Sequence, residues 1–325
     1  MPGRAGGAAT YPVTLSEDPH LTPAKSVDDF VIGVIDTGIL SFGGQPHPYL
    51  AGHLTDDWAQ QVDEFTAPDI PNSADGHGTF VAGVILRQAP TAKIQMRNTL
   101  DGFGQNSDPR IAQAIRDMAA DSHVKLVNLS FFGDETEKPP TEIEAALKEL
   151  FDFRPDLVVV TAAGNSGTVK PLWPAAFRFP RLMSIGAVDE TVVPSSRLLA
   201  PPESLDPDHP IPPIASFSNH GPTVDAYAGG VSVLGPHFIN DSGMYRPSWC
   251  HWGGTSFAAA AVTGQIAQAM ITMQIDARQA LERVLTLEKP VSVTSDPAPL
   301  VPMPGVRPEF WRPYIRTGNP DWTPA

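Results

Sequence analysis

One cysteine, Cys250, stands in 325 residues. A single thiol excludes an intrachain disulfide and a cysteine-built metal cage, and Cys250 reads as a small packing residue. Long apolar runs are missing too. None approaches the ~18 residues of a membrane span, so no membrane partner is expected. Met1–His20 carries one basic side chain, Arg4, and no apolar core, so no secretory signal is visible. A cytoplasmic location is the expectation, or a secreted one if the chain is a trimmed mature form.

Positive charge is scarce. Lys and Arg number 22 against 36 Asp and Glu, a net charge of −14, which argues against nucleic acid as a partner. The acid is dispersed. Its nearest approach to a cluster, Asp56, Asp57, Asp63, Glu64, Asp69 and Asp75, reads as a solvated face, with a weak preference for basic substrates as the other reading. His53 with Asp56 and Asp57 shares no helical or strand register that makes a ligand set, so no metal is assigned. No internal repeat is present, and the oligomeric state is not written in the sequence.

What remains is a globular α/β pattern. Val31-Ile32-Gly33-Val34-Ile35 is a short unbroken apolar run, the mark of a strand buried on both faces. Lys93–Arg97, Val124–Leu129, Leu157–Val160, Leu182–Val188 and Val231–Leu234 read as further strands. Helices are predicted after His77, from Asp108 as N-cap with Pro109 at the first helical position, and from Thr141. Others are predicted after Ser256 and from Asp276 to about Leu287. Thr141-Glu142-Ile143-Glu144 has the form of a capping box. Alternation of strand and helix predicts a mostly parallel central sheet with helices on both faces, an α/β three-layer fold. Residues 1–29 read as an irregular arm, 30–288 as the main domain with a proline-rich surface insertion at 191–213. Residues 289–325 read as a Pro-rich tail whose Trp311, Tyr314 and Trp322 pack back onto the body.

Four polar residues stand where α/β proteins place their sites. Asp36 follows the first strand. His77 lies between two glycines at a helix mouth. Asn165 follows a strand in a glycine-flanked loop. Ser256 opens an alanine-rich buried helix, close to unpaired backbone N–H groups and the positive end of the helix dipole. Taken singly, each has a plain reading: an Asx turn, a structural histidine, a turn asparagine, an N-cap serine. Taken together they supply what amide hydrolysis needs. A serine attacks, an imidazole takes and returns its proton, a carboxylate holds the imidazole, and an amide donor stabilises the oxyanion.

At this point the chain resembles the subtilisin family of serine peptidases. The resemblance rests on Val34-Ile35-Asp36-Thr37-Gly38, Asp75-Gly76-His77-Gly78-Thr79, Ala163-Gly164-Asn165-Ser166-Gly167 and Gly254-Thr255-Ser256-Phe257-Ala258. They occur in the family's order and span roughly residues 28–285. It implies a peptide or protein substrate and an acyl-enzyme route, with Asp36, His77 and Ser256 as the triad and Asn165 as oxyanion donor. It also implies that Gly102-Phe103-Gly104 and Ser130-Phe131-Phe132, with Gly164, line the substrate cleft.

Several departures set further expectations. Ala260 stands where the family usually has proline, and alanine should let the helix continue. The helix after His77 runs straight into Arg87-Gln88-Ala89-Pro90, without the insertion that holds calcium in many members. No cofactor is therefore expected, with a weak calcium site left open. Phe132 stands where glycine is common, which implies either a narrowed primary pocket or plain packing against a loop. The stretch before Asp36 is shorter than the usual inhibitory propeptide, as in a mature chain or in a member that folds without one. A dedicated intracellular maturation protease for one precursor is the alternative, and a binding scaffold that has lost activity a further one.

Overall fold

The computed structural model describes residues 13–14, 26, 30–63, 74–133, 138–192, 213–241, 244–286 and 314–315. In chain order the first strands are β1 (Val13–Thr14), β2 (Val31–Asp36), β3 (Ile39–Phe42), β4 (Gln45–Pro46) and β5 (Val62–Asp63). Helix α1 (His77–Gln88), β6 (Lys93–Asn98), α2 (Asp108–Ala120), β7 (Val124–Leu129), α3 (Thr141–Phe153), β8 (Val158–Ala162) and β9 (Leu182–Val188) follow. The chain then forms β10 (Ala226–Gly229), β11 (Val233–Asp241), β12 (Met244–Trp252), α4 (Thr255–Met273), α5 (Ala277–Thr286) and β13 (Tyr314–Ile315).

The central sheet has the order β13-β10-β9-β8-β7-β2-β6. Its six strands from β10 to β6 are parallel, and only β13 runs antiparallel, against β10. The expected α/β three-layer architecture is what the chain forms. Successive side chains of a strand point to opposite faces, and they divide between two cores. Ile32, Val34, Leu126, Val158 and Val160 join the core under α1, α4 and α5. Val31, Ile35, Val127, Leu129 and Val159 join the core under α2 and α3. Covering both faces explains why β2 reads as one unbroken apolar run. Each large side chain buried this way contributes about 1.5–3 kcal/mol.

Helix α4 is buried nearly all round in its first half: Ser256 to Val262 are all at most 1% exposed. It runs unbroken through Ala260. Against α1 lies a long hairpin, β11 paired with β12 from Val233↔Trp252 to Asp241↔Met244, with β1 on its outer edge. Gly83 of α1 permits this contact, since a Cβ there would sit 2.1 Å from Cδ of Pro236.

Several local expectations need correcting. The cap of α2 is Ser107, not Asp108, because Asp108 already has helical backbone, and no side chain bonds to the helix there. The Thr141 capping box does not form. The helix begins at Thr141 itself after Pro140, and Thr141 Oγ1 donates to Glu142 Oε2 instead. Asp276 does cap α5: its Oδ1 accepts from Gln279 N–H at 2.8 Å while Gln279 Oε1 accepts from Asp276 N–H at 3.2 Å. The strand expected at Val231 starts at Val233, and β10 and β12 were not foreseen. Of the tail, Tyr314–Ile315 joins the sheet edge, while Trp311, Trp322 and the insertion's residues 193–212 lie outside the described residues.

The solvated acidic face holds only in part. Asp56 is exposed, but Asp63 and Asp75 are 5% and 3% exposed: Asp63 ends β5 in register with Leu40 of β3, and Asp75 stands two residues before α1. Glu64 and Asp69 lie outside the described residues.

Candidate active site

Parallel strands put all their carboxyl ends at one edge of the sheet, and the candidate residues collect there. Asp36 is the last residue of β2, Ser130 follows β7, and Ala163-Gly164-Asn165 follows β8. His77 is the first residue of α1 and Ser256 the second of α4.

Asp36 is fully buried. Its Oδ1 accepts from Thr37 N–H at 2.7 Å and from His77 Nδ1 at 2.8 Å. A carboxylate oxygen accepts, so Nδ1 holds the proton of that bond, and Nε2 is the nitrogen on which a further proton can land. Nε2 is buried and has no hydrogen-bond partner among the described residues. The imidazole is held edge-on by Trp252, with ring centroids 5.7 Å apart, and at a tilt by Phe257 at 5.3 Å. Close contact of the two loops is possible because residue 78 is glycine. A Cβ on Gly78 would stand 2.4 Å from the carbonyl oxygen of Gly38.

Ser256 is fully buried, next in sequence to the Phe257 that touches His77. Its Oγ donates to the Ser130 carbonyl at 3.0 Å, and Ser130 Oγ donates back to the Ser256 carbonyl at 2.9 Å. The hydroxyl is thus engaged with β7's end and not with the imidazole. Catalytic hydrogen bonds of this kind often form only when substrate is in place. Asn165 is oriented by the same helix mouth: its Oδ1 accepts from Thr255 N–H and from Thr255 Oγ1, both at 2.9 Å. Thr255 Oγ1 in turn accepts from Gly164 N–H at 3.1 Å.

The two segments assigned to the cleft differ in character. Gly102-Phe103-Gly104 is a turn in which Asp101 Oδ1 accepts from Phe103 N–H at 3.0 Å and from Gln105 N–H at 2.9 Å. Phe103 is 57% exposed, an unusual position for a phenyl ring, whereas Phe131 and Phe132 are 1% and 6% exposed. Phe132 belongs to the core on the α4 side of the sheet.

Three residues at this site were not singled out in the sequence. Thr255 sits inside the Gly-Thr-Ser run, and its place beside the serine was the available signal. Trp252 ends β12, and Asp63 ends β5. Neither has a local signal, because each acts across more than ten residues of chain. Away from the site, His53 Nδ1 is bonded to the Ala92 carbonyl at 2.9 Å and Asp57 to Arg97 at 2.8 Å. Cys250 is buried, and burial pushes its thiol pKa up, consistent with an inert packing role.

Several known proteins are similar to this chain. The "Thermophilic serine proteinase" of Bacillus sp. (strain AK1) is 30% identical over 266 residues, 78% of this chain and 55% of that protein. "Thermitase" of Thermoactinomyces vulgaris is 26% identical over 245 residues, 72% of each chain. Among solved structures, a lanthipeptide protease superposes with a TM-score of 0.56 at 18% identity, covering 80% of this chain and 81% of that one. A protease from Pseudoalteromonas arctica PAMC 21717 superposes with a TM-score of 0.59 at 19% identity, over 81% and 83%. These two likenesses speak to the fold. The sequence itself matches the model of the subtilase family over residues 28–287, a span that takes in all four polar residues at the sheet edge, and the chain belongs to that family.

Proposed function

We propose that this protein is a serine endopeptidase that cuts peptide bonds through an acyl-enzyme. The observation that carries the reading is the buried Asp36–His77 hydrogen bond beside a serine at the mouth of α4. In this mechanism Ser256 Oγ leaves the Ser130 carbonyl and gives its proton to His77 Nε2 as it attacks the substrate carbonyl. Asp36 keeps the proton of Nδ1 in place and stabilises the imidazolium. The oxyanion is received by the Asn165 side-chain amide and the Ser256 backbone N–H, near the positive end of α4. His77 then protonates the leaving amine, and water releases the acyl group by the same steps reversed.

Substrate is held as an added strand between Gly102-Phe103-Gly104 and Ser130-Phe131-Phe132. Backbone bonds give sequence-tolerant affinity, and pockets give choice. The direct test is mass spectrometry of products from a peptide library. Products that require Ser256 support an endopeptidase, and an intact library contradicts one. Cleavage at a single motif would instead mark a dedicated maturation protease.

Phe132 is proposed to narrow the primary pocket, giving a preference for small or slender neutral residues just before the cut. Phe132→Gly should raise kcat/KM for a substrate with Phe at that position more than for one with Ala, with Leu and Arg substrates as references. An unchanged ranking means that Phe132 only fills the core. Since the ring is buried, the variant should also lose about 3–5 kcal/mol of stability, which a melting curve checks.

We also propose that α1 needs no calcium. It ends at Gln88 and passes directly into Ala89. Chelation should therefore leave the melting temperature within about 1 °C, a shift worth well under 1 kcal/mol. A drop of several degrees contradicts this.

A further inference from the structure

Asp63 is a buried carboxyl that the mechanism above does not use. Its Oδ2 accepts from Thr37 Oγ1 at 2.8 Å and from Gly76 N–H at 2.9 Å. Thr37 Oγ1 in turn accepts from Gly78 N–H at 3.1 Å. Thr37 follows Asp36, while Gly76 and Gly78 bracket His77. One carboxylate oxygen therefore ties together the backbone on either side of the Asp36–His77 contact. Strand pairing fixes Asp63 in this position, with Leu40↔Asp63 in register between β3 and β5. We propose that Asp63 is a positioning residue for the Asp36–His77 pair, and that its ionised form holds the two loops in the geometry that proton transfer requires. This inference rests on the triad reading given above.

The surroundings make the ionised form conditional. Burial pushes Asp63 up to about 7; the hydrogen bonds from Gly76 and Thr37 oppose this, and the charges of Asp75 and Asp36 add to it. The carboxyl also lines a cavity of about 360 Å³ together with Thr37, Gln60, Asn98 and Asp101, which brings solvent protons within reach. Among the described residues, the charges acting on it, Asp75 and Asp36, are negative. When Asp63 is ionised it accepts two charge-assisted bonds, which are roughly twice as strong as neutral ones. It also adds negative charge behind the imidazolium. When it is protonated, the bonds weaken and that charge is gone.

Asp63→Asn tests this, because the amide keeps the shape and an acceptor oxygen but cannot ionise. At about pH 8.5 the variant should lose about tenfold in kcat/KM, equivalent to one 1.4 kcal/mol step, with KM nearly unchanged. Below pH 7 the two proteins should converge, since wild-type Asp63 is then neutral as well. The acid limb should fall more steeply than one decade per pH unit in wild type and no more steeply than that in the variant.

Stability supplies a readout independent of activity. The folded carboxyl keeps its proton up to about pH 7, while an unfolded aspartate loses it near pH 3.9. Wild-type stability should accordingly fall as pH rises through that window and level off above it. Asp63→Asn has no such loss, so it should melt higher than wild type at about pH 8.5 while working more slowly. A merely structural carboxylate predicts the opposite: a lower melting temperature and an activity loss that does not vary with pH. Either of those results overturns the proposal, as does full activity at the higher pH. If Asp63→Asn does not fold, Thr37→Val removes the hydroxyl link from the other side. It should cost activity chiefly above pH 7, and an unchanged pH profile overturns the proposal. Ser256→Ala run in parallel separates the two levels. Activity that survives it sinks the triad reading. Activity that vanishes with Ser256 but ignores Asp63 sinks only this inference.

Discussion

Ser256→Ala should leave a folded protein whose kcat is lower by about 10⁶, the loss known for the corresponding serine of subtilisin and carried over here through family membership. The change removes one oxygen. The structural cost is the hydrogen bond to the Ser130 carbonyl, a net contribution of about 1 kcal/mol, and alanine is the best helix former for the first turn of α4. The melting temperature should therefore move little while turnover collapses. His77→Ala should be comparably severe in kcat but should also cost stability. It opens a void between Trp252 and Phe257 and leaves the buried Asp36 without its imidazole partner. Activity near wild type in either variant contradicts the assignment.

Asn165→Ala should lower kcat by roughly 10²–10³ with little change in KM, the range measured for the same role in subtilisin and equivalent to about 2.7–4 kcal/mol. The argument is one of orientation. Thr255 supplies two donors to Oδ1, which fixes the amide plane and turns its NH₂ end away from Thr255. A donor held in place before reaction costs no reorganisation when negative charge develops, so its contribution falls on the transition state. A variant whose main effect is on KM would show that Asn165 binds ground-state substrate instead.

Much of this site can be read from the sequence because its chemistry sits on short, glycine-marked turns. Asp36 ends an apolar strand, and His77 and Ser256 open apolar helices. Those boundaries survive in the local pattern. The parallel sheet was legible for the same reason: β2 buries both faces, so its residues are continuously apolar. What escaped depends on contacts distant in sequence. Asp63 looks like one more acid in a polar loop until Thr37 and Gly76 fold against it. Strand β12 carries Pro247 and charged and aromatic side chains without clean alternation, and its pairing with β11 supplies what the pattern lacks. Strand β10, Ala-Tyr-Ala-Gly, is too short and too small in side chain to announce itself. The Thr141 motif failed because Pro140 already occupies the cap position.

The central claim is that Ser256 Oγ is the atom that becomes acylated. Its most direct test is to react the folded protein with a fluorophosphonate and locate the adduct by peptide mass spectrometry. The account predicts a single stoichiometric adduct on the peptide containing Ser256. Labelling should be lost in Ser256→Ala and strongly slowed in His77→Ala. No adduct on folded protein, or one on another residue that persists in Ser256→Ala, would contradict it.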